Sequence, residues 1–159
     1  MIYEYPQGIP EQYAGIVEEL WNQAQEVRST HIQRPRSGNA AAAKLQLDTG
    51  AVYNKEATSK QHPLNIPGED DGPKCFFEPR IDRAIDRAGE NYNEKHAEHK
   101  LFNAIAEDLE TNNVSLEVEG TLYLYTERNM CSGCYMNLQD FKERFPNIKV
   151  IIFYEHPYP

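Results

Sequence analysis

Two short motifs, each opening an amphipathic stretch, constrain this chain more than any other feature: His96-Ala97-Glu98 and Cys131-Ser132-Gly133-Cys134. From Glu94 to Glu110, the residues Ala97, Leu101, Ala104, Ile105 and Leu109 recur at helical spacing and mark one buried face. From Cys131 to Phe145, Cys134, Leu138, Phe141 and Phe145 do the same, and Pro146-Asn147 ends the stretch. Between the two predicted helices, Gly120 to Thr126 alternates Leu and Tyr and reads as a strand. Ile148 to Tyr154 is a nearly continuous apolar run, which suits a strand covered on both faces. Strand, helix and strand in that order form a βαβ unit with parallel strands and a right-handed crossover. Parallel packing of the two helices would then bring both motifs to one edge of the sheet.

The rest of the chain supplies the other layers. Residues 10 to 27 read as an amphipathic helix, with Tyr13, Ile16, Val17, Leu20, Ala24 and Val27 on one face and Trp21 beside them. Gln33 to Asn39 is a break, and the domain is expected to divide there into an N-terminal helix and linker (1–39) and a main domain (40–159). Ala40 to Leu47 reads as a strand, Asp48-Thr49-Gly50 as a turn, and Ala51 to Lys60 as a second strand, together a hairpin. Gln61 to Pro79 is rich in Pro, Gly and Asp and reads as a loop. Arg80 to Gly89 is a short predicted helix carrying Ile81, Ala84, Ile85 and Ala88. No internal repeat is visible.

The motif residues share one chemistry. Imidazole and thiolate are zinc ligands, and a set of three leaves a fourth position open, as catalytic zinc sites do. His96, Cys131 and Cys134 are the candidate ligands. Helix N-termini favour the thiolate form of a cysteine through their partial positive charge. Glu98 follows the histidine by two positions, so it can stand beside the metal without binding it, and it is the candidate proton carrier. H-x-E paired with a later C-x-x-C is the pattern of zinc enzymes that remove the amino group from nucleobases. Each half alone says little; the two together, each opening a helix, are specific.

Composition narrows the partners. The net charge is −9, so any nucleic-acid contact must be local or limited to a few nucleotides, since tight backbone binding uses a basic surface. Three cysteines are an odd number and argue against a closed disulfide framework; Cys75 reads as an ordinary thiol. No stretch is apolar for long enough to span a membrane, and the N-terminus lacks the basic and apolar blocks of a signal peptide. The expected location is cytoplasmic, or a target cell entered as part of a longer secreted protein.

The segment from His96 to Tyr154 resembles the cytidine-deaminase-like superfamily, and within it the toxin deaminases of bacterial polymorphic toxin systems. The resemblance is carried by Gly120 to Arg128 (GTLYLYTER) leading into Cys131 and Cys134, and by Phe141 to Val150 (FKERFPNIKV). It implies a three-layer α/β/α fold around a mixed sheet, a Zn2+ cofactor, and cytosine in single-stranded DNA as substrate. An immunity protein is the partner that a toxin's producing cell would need. Met130 stands where many members have proline before the first cysteine. Tyr53, Asn54 and Ser59 on the second predicted strand, with Thr126 and Arg128 ahead of the cysteines, are candidate substrate contacts.

Other readings stay open at this point. The enzyme could act on free nucleosides or nucleotides, which the acidic balance suits. A non-catalytic zinc module would need a fourth ligand, for which His62, Cys75 and His99 are available. A dithiol redox protein would need neither His96 nor Glu98.

Overall fold

The computed structural model describes residues 1–31, 39–59, 77, 97–130 and 132–156, with His31 and Ser132 described by their backbone alone. Its elements are β1 (Ile2–Glu4), α1 (Ala14–His31), β2 (Ala40–Leu47), β3 (Val52–Thr58), α2 (Ala97–Thr111), β4 (Gly120–Arg128), α3 (Ser132–Arg144) and β5 (Ile148–His156). A single 3-10 turn, Glu11–Tyr13, leads into α1 behind Pro10. The predicted helix over Arg80 to Gly89 lies outside the described residues, as does the loop before it apart from Phe77.

The five strands form one sheet in the order β1-β5-β4-β2-β3. β1 and β4 run parallel to β5, whereas β2 runs antiparallel to both β3 and β4. The sheet is therefore mixed, and the parallel β4–α3–β5 unit is the one the apolar pattern predicts. The hairpin closes as its sequence demands: Gly50 takes φ 95°, a conformation costly for any side-chain-bearing residue, and its N–H donates to the Leu47 carbonyl at 2.9 Å. At the C-terminus of α2, Asn113 takes φ 56° and the Val114 N–H reaches back to the Leu109 carbonyl at 2.9 Å.

Strand alternation divides the core in two. On one face, Ala41, Ala43, Leu45, Leu47, Leu122, Leu124, Val150 and Ile152 pack with Leu101, Ile105 and Leu109 of α2 and with Leu138, Phe141 and Phe145 of α3. On the other, Ala40, Ala42, Tyr125, Ile151 and Phe153 meet Tyr13, Val17, Leu20, Ala24 and Val27 of α1. The result is helix, sheet, helix in three layers, which is the expected α/β/α class. The apolar face read from residues 10 to 27 is the buried one, but α1 begins later and runs on to His31.

α1 is tied down at its C-terminal half as well as packed. Glu127 is buried at the end of β4 and takes two bonds from Arg28, Nε to Oε2 at 2.7 Å and Nη2 to Oε1 at 2.6 Å. Gln25 adds a third at 3.2 Å, and the Ala40 N–H donates to Oε1 at 2.8 Å. One carboxylate thus joins α1, β2 and β4. Its hydrogen bonds hold the Arg28 guanidinium above its ordinary range, against an opposing effect of burial. Arg28→Ala is expected to cost about 2 kcal/mol, below the roughly 3–5 of a fully buried pair, because two of the four hydrogen bonds to Glu127 remain, from Gln25 and the Ala40 N–H, and some water reaches it. Thermal melting checks this; an unshifted transition would refute it.

Candidate active site

The site forms where the first turns of α2 and α3 meet the ends of β2 and β4. Glu98 is the second residue of α2 and Cys134 the third of α3. Both are buried, and the Cys134 Sγ stands 3.9 Å from Glu98 Oε2. The expected meeting of the two helix N-termini at one sheet edge is thereby observed. His96 and Cys131, the residues immediately before the two helices, lie outside the described residues. Among the described residues no group of three metal-binding side chains occurs.

Glu98 sits in a hydrogen-bonded cradle. Asn39 Nδ2 donates to its Oε1 at 2.9 Å, and the Thr126 hydroxyl donates to the same oxygen at 2.6 Å. Asn39 also donates to Thr126 Oγ1 at 2.7 Å. Both residues are buried, Thr126 completely. Strand alternation explains why adjacent residues divide their work here: Thr126 faces α2 and Glu98, while Glu127 faces α1 and Arg28. Asn39 is missing from the sequence reading, which assigned it to a linker. The only trace of it in the sequence is a buried-type alanine run starting one residue later.

The connection from β4 to α3 is equally fixed. The Asn129 N–H donates to the His156 carbonyl at 2.7 Å, and its Oδ1 accepts from the Met130 N–H and the Tyr135 hydroxyl, both at 2.9 Å. Burial raises the Tyr135 phenol above its usual range, with the Asn129 bond opposing. The N–H that Met130 donates is one that proline lacks, so the departure from proline at this position comes with a compensating bond.

Of the other candidates, Ser59 borders the cradle: its Oγ accepts from the Asn39 N–H at 2.7 Å and its own N–H donates to the Asn39 carbonyl at 2.9 Å. Arg128 meets it through its backbone N–H, which donates to Asn39 Oδ1 at 3.1 Å. The structure does not bring Tyr53 or Asn54 to the cluster. Tyr53 pairs with Leu45, four residues along from the level of Thr126, about 13 Å at the usual strand rise. Asn54 lies on the opposite face, where its amide exchanges hydrogen bonds with Gln23 of α1 at 2.7 and 2.9 Å. The sequence placed both on the correct strand; register and parity decide their faces.

Three further α2 side chains serve the surrounding backbone. His99 Nε2 lies between the Phe77 carbonyl at 3.1 Å and the Asn103 amide nitrogen at 3.3 Å. Asn103 Oδ1 accepts the Phe77 N–H at 2.9 Å. The buried Lys100 ammonium donates to the Thr58 carbonyl at 2.7 Å, next to Ser59. His99 was one possible fourth metal ligand, and the nitrogen at its far end is engaged with backbone instead.

The toxin-deaminase family, described as the BURPS668_1122 family of deaminases, matches residues 22–156. The chain belongs to that family. The match runs from within α1 to the last residue of β5, so it takes in both faces of the sheet and every site residue described above. No curated protein matches the chain. Membership makes this protein a toxin deaminase with the α/β fold that the residues predict. No helix among its described residues is long and apolar enough to cross a membrane.

Proposed function

We propose that this toxin deaminase is a zinc-dependent hydrolase that converts cytosine to uracil in nucleic acid, with single-stranded DNA as the polymer. The observation that carries the reading is the contact of Glu98 with Cys134 at the junction of two helix N-termini, at 3.9 Å. A carboxylate beside a buried thiol there is the described half of an H-x-E and C-x-x-C centre. The donor set fits zinc: Cys134 in the first turn of α3 supplies a sulfur ligand, and His96 and Cys131 would complete three ligands. When bound, zinc supplies the Lewis acidity that activates water at neutral pH.

The chain's own residues do the rest. Glu98 is within reach of Cys134 yet held by Asn39 and Thr126, so it can carry a proton without serving as a ligand. It takes a proton from the attacking water and delivers it to the departing amino group, so that water and cytosine become uracil and ammonia. Burial of the cradle keeps bulk water from competing for that proton. Ser59 and Arg128, whose backbones border the cradle, are the candidate contacts to the nucleotide. An immunity protein that covers this edge of the sheet would complete the system.

The test is direct. Purified protein is incubated with single-stranded DNA containing cytosine, and with duplex DNA, RNA and free cytidine in parallel; uracil and ammonia are measured with zinc content. The expected result is uracil from the single strand, lost on chelation and restored by zinc. Product from free cytidine alone would replace the polymer with a nucleoside, and a zinc-free protein of full activity would refute the metal reading.

A further inference from the structure

We propose that Asn39 and Thr126 are positioning residues that fix which oxygen of Glu98 moves the proton: Oε1 is the anchor and Oε2 the working atom. This rests on the reading of the site given above. The terminal torsion of a glutamate is broad and nearly two-fold, so a carboxylate held at one point can swing or exchange its oxygens. Here two donors far apart in the chain converge on one oxygen, Asn39 from the residue just before β2 and Thr126 from near the end of β4. Oε2 is thereby turned toward Cys134 Sγ, the side on which the reacting water would stand.

The anchors are themselves oriented. Asn39 Oδ1 accepts the Arg128 N–H at 3.1 Å, and a backbone N–H can only donate, so the Asn39 amide has one assignment and its Nδ2 must face Glu98. Its main chain is bracketed by Ser59 through bonds of 2.7 and 2.9 Å. The Thr126 oxygen accepts from Asn39 at 2.7 Å, which leaves its single proton for an acceptor. Glu98 Oε1 at 2.6 Å is closer than the alternative, the Arg128 carbonyl at 3.0 Å. Every donor in the chain points the same way, from the β4 backbone through Asn39 and Thr126 to Oε1. During turnover the proton from water enters at Oε2 and leaves from Oε2 to the amino nitrogen, so the carboxylate is regenerated without breaking its anchor.

Thr126→Val keeps the shape and removes the donor, and Thr126→Ser keeps the donor. With Thr126→Val, kcat is expected to fall roughly 10- to 100-fold, the scale of a slightly misplaced reacting group, with KM within about twofold. Zinc content should be unchanged, and Thr126→Ser should recover most of the rate. In a Glu98→Gln background, Thr126→Val should have little further effect on the residual rate, because its action runs through Glu98. A readout independent of activity comes from metal-free protein: the melting-temperature drop caused by Thr126→Val should shrink by at least half when Glu98 is already alanine. Deamination by the wild type with Thr126→Val unimpaired, or equal melting drops in the two backgrounds, would overturn this assignment alone. Absence of deamination by the wild type on every substrate would overturn the reading of the site, and this assignment with it.

Discussion

Glu98→Gln is expected to reduce kcat by roughly 10²- to 10⁴-fold, the usual contribution of a positioned acid–base group. That corresponds to about 3–5 kcal/mol of barrier. Glutamine has nearly the same volume, and its carbonyl oxygen can still accept from Asn39 and Thr126, which now bond Oε1 at 2.9 and 2.6 Å. What it loses is a second oxygen able to take up a proton near Cys134. The predicted signature is therefore specific: turnover collapses while fold, zinc content and substrate affinity persist. Steady-state kinetics with metal analysis on the same preparation would check it. Undiminished turnover would remove Glu98 from the mechanism, whereas joint loss of zinc and activity would make it a structural support of the metal site.

The largest stability effect is expected at Phe141. This α3 residue is wholly buried, and its ring lies 6.0 Å from Phe77, 5.6 Å from Phe102 and 5.0 Å from Phe145. Phe141→Ala removes one member from each of three aromatic contacts and leaves a cavity between α2 and α3, at a cost of about 3–5 kcal/mol. For a chain of this length the melting temperature should drop by roughly 10 °C. Phe77 is held by Phe141 on its ring and by His99 and Asn103 on its peptide, so part of its anchorage goes too. Met136 of the same helix is half exposed, and Met136→Ala should change melting by no more than about 0.5 kcal/mol, as surface substitutions do. Equal effects at the two positions would mean that α3 contributes little to the core.

Periodicity was legible where the apolar residues are numerous. β2 runs from Ala40 to Leu47 as its pattern suggests, and β5 follows the apolar run from Ile148. β1 has only Ile2 to Glu4, too few residues for alternation to register, and it gains its place by pairing with Ile152, Phe153 and Tyr154 of β5. The motif pair was legible because each half opens a helix and the order of elements brings the openings together. The cradle was not. Asn39, Thr126 and Glu98 lie far apart in sequence, and nothing local to Asn39 distinguishes it from a turn residue. Its role arises from the β2–β4 pairing, in which Ala41 stands opposite Thr126 and Asn39 follows at the strand's end. The face that Asn54 takes has the same origin, since a strand's two faces are assigned only once its register is known.

The alanine run in β2 has a consequence for how this protein can change. Ala40 to Ala43 are all fully buried, the even-numbered pair beneath α1 and the odd-numbered pair beneath α2. With side chains this small there is nothing to trim, and an added methyl group has no solvent to grow into. It must push a whole layer outward, and at Ala41 or Ala43 that layer carries Glu98. Laboratory selection for new substrates should therefore leave these four positions untouched and gather its substitutions elsewhere.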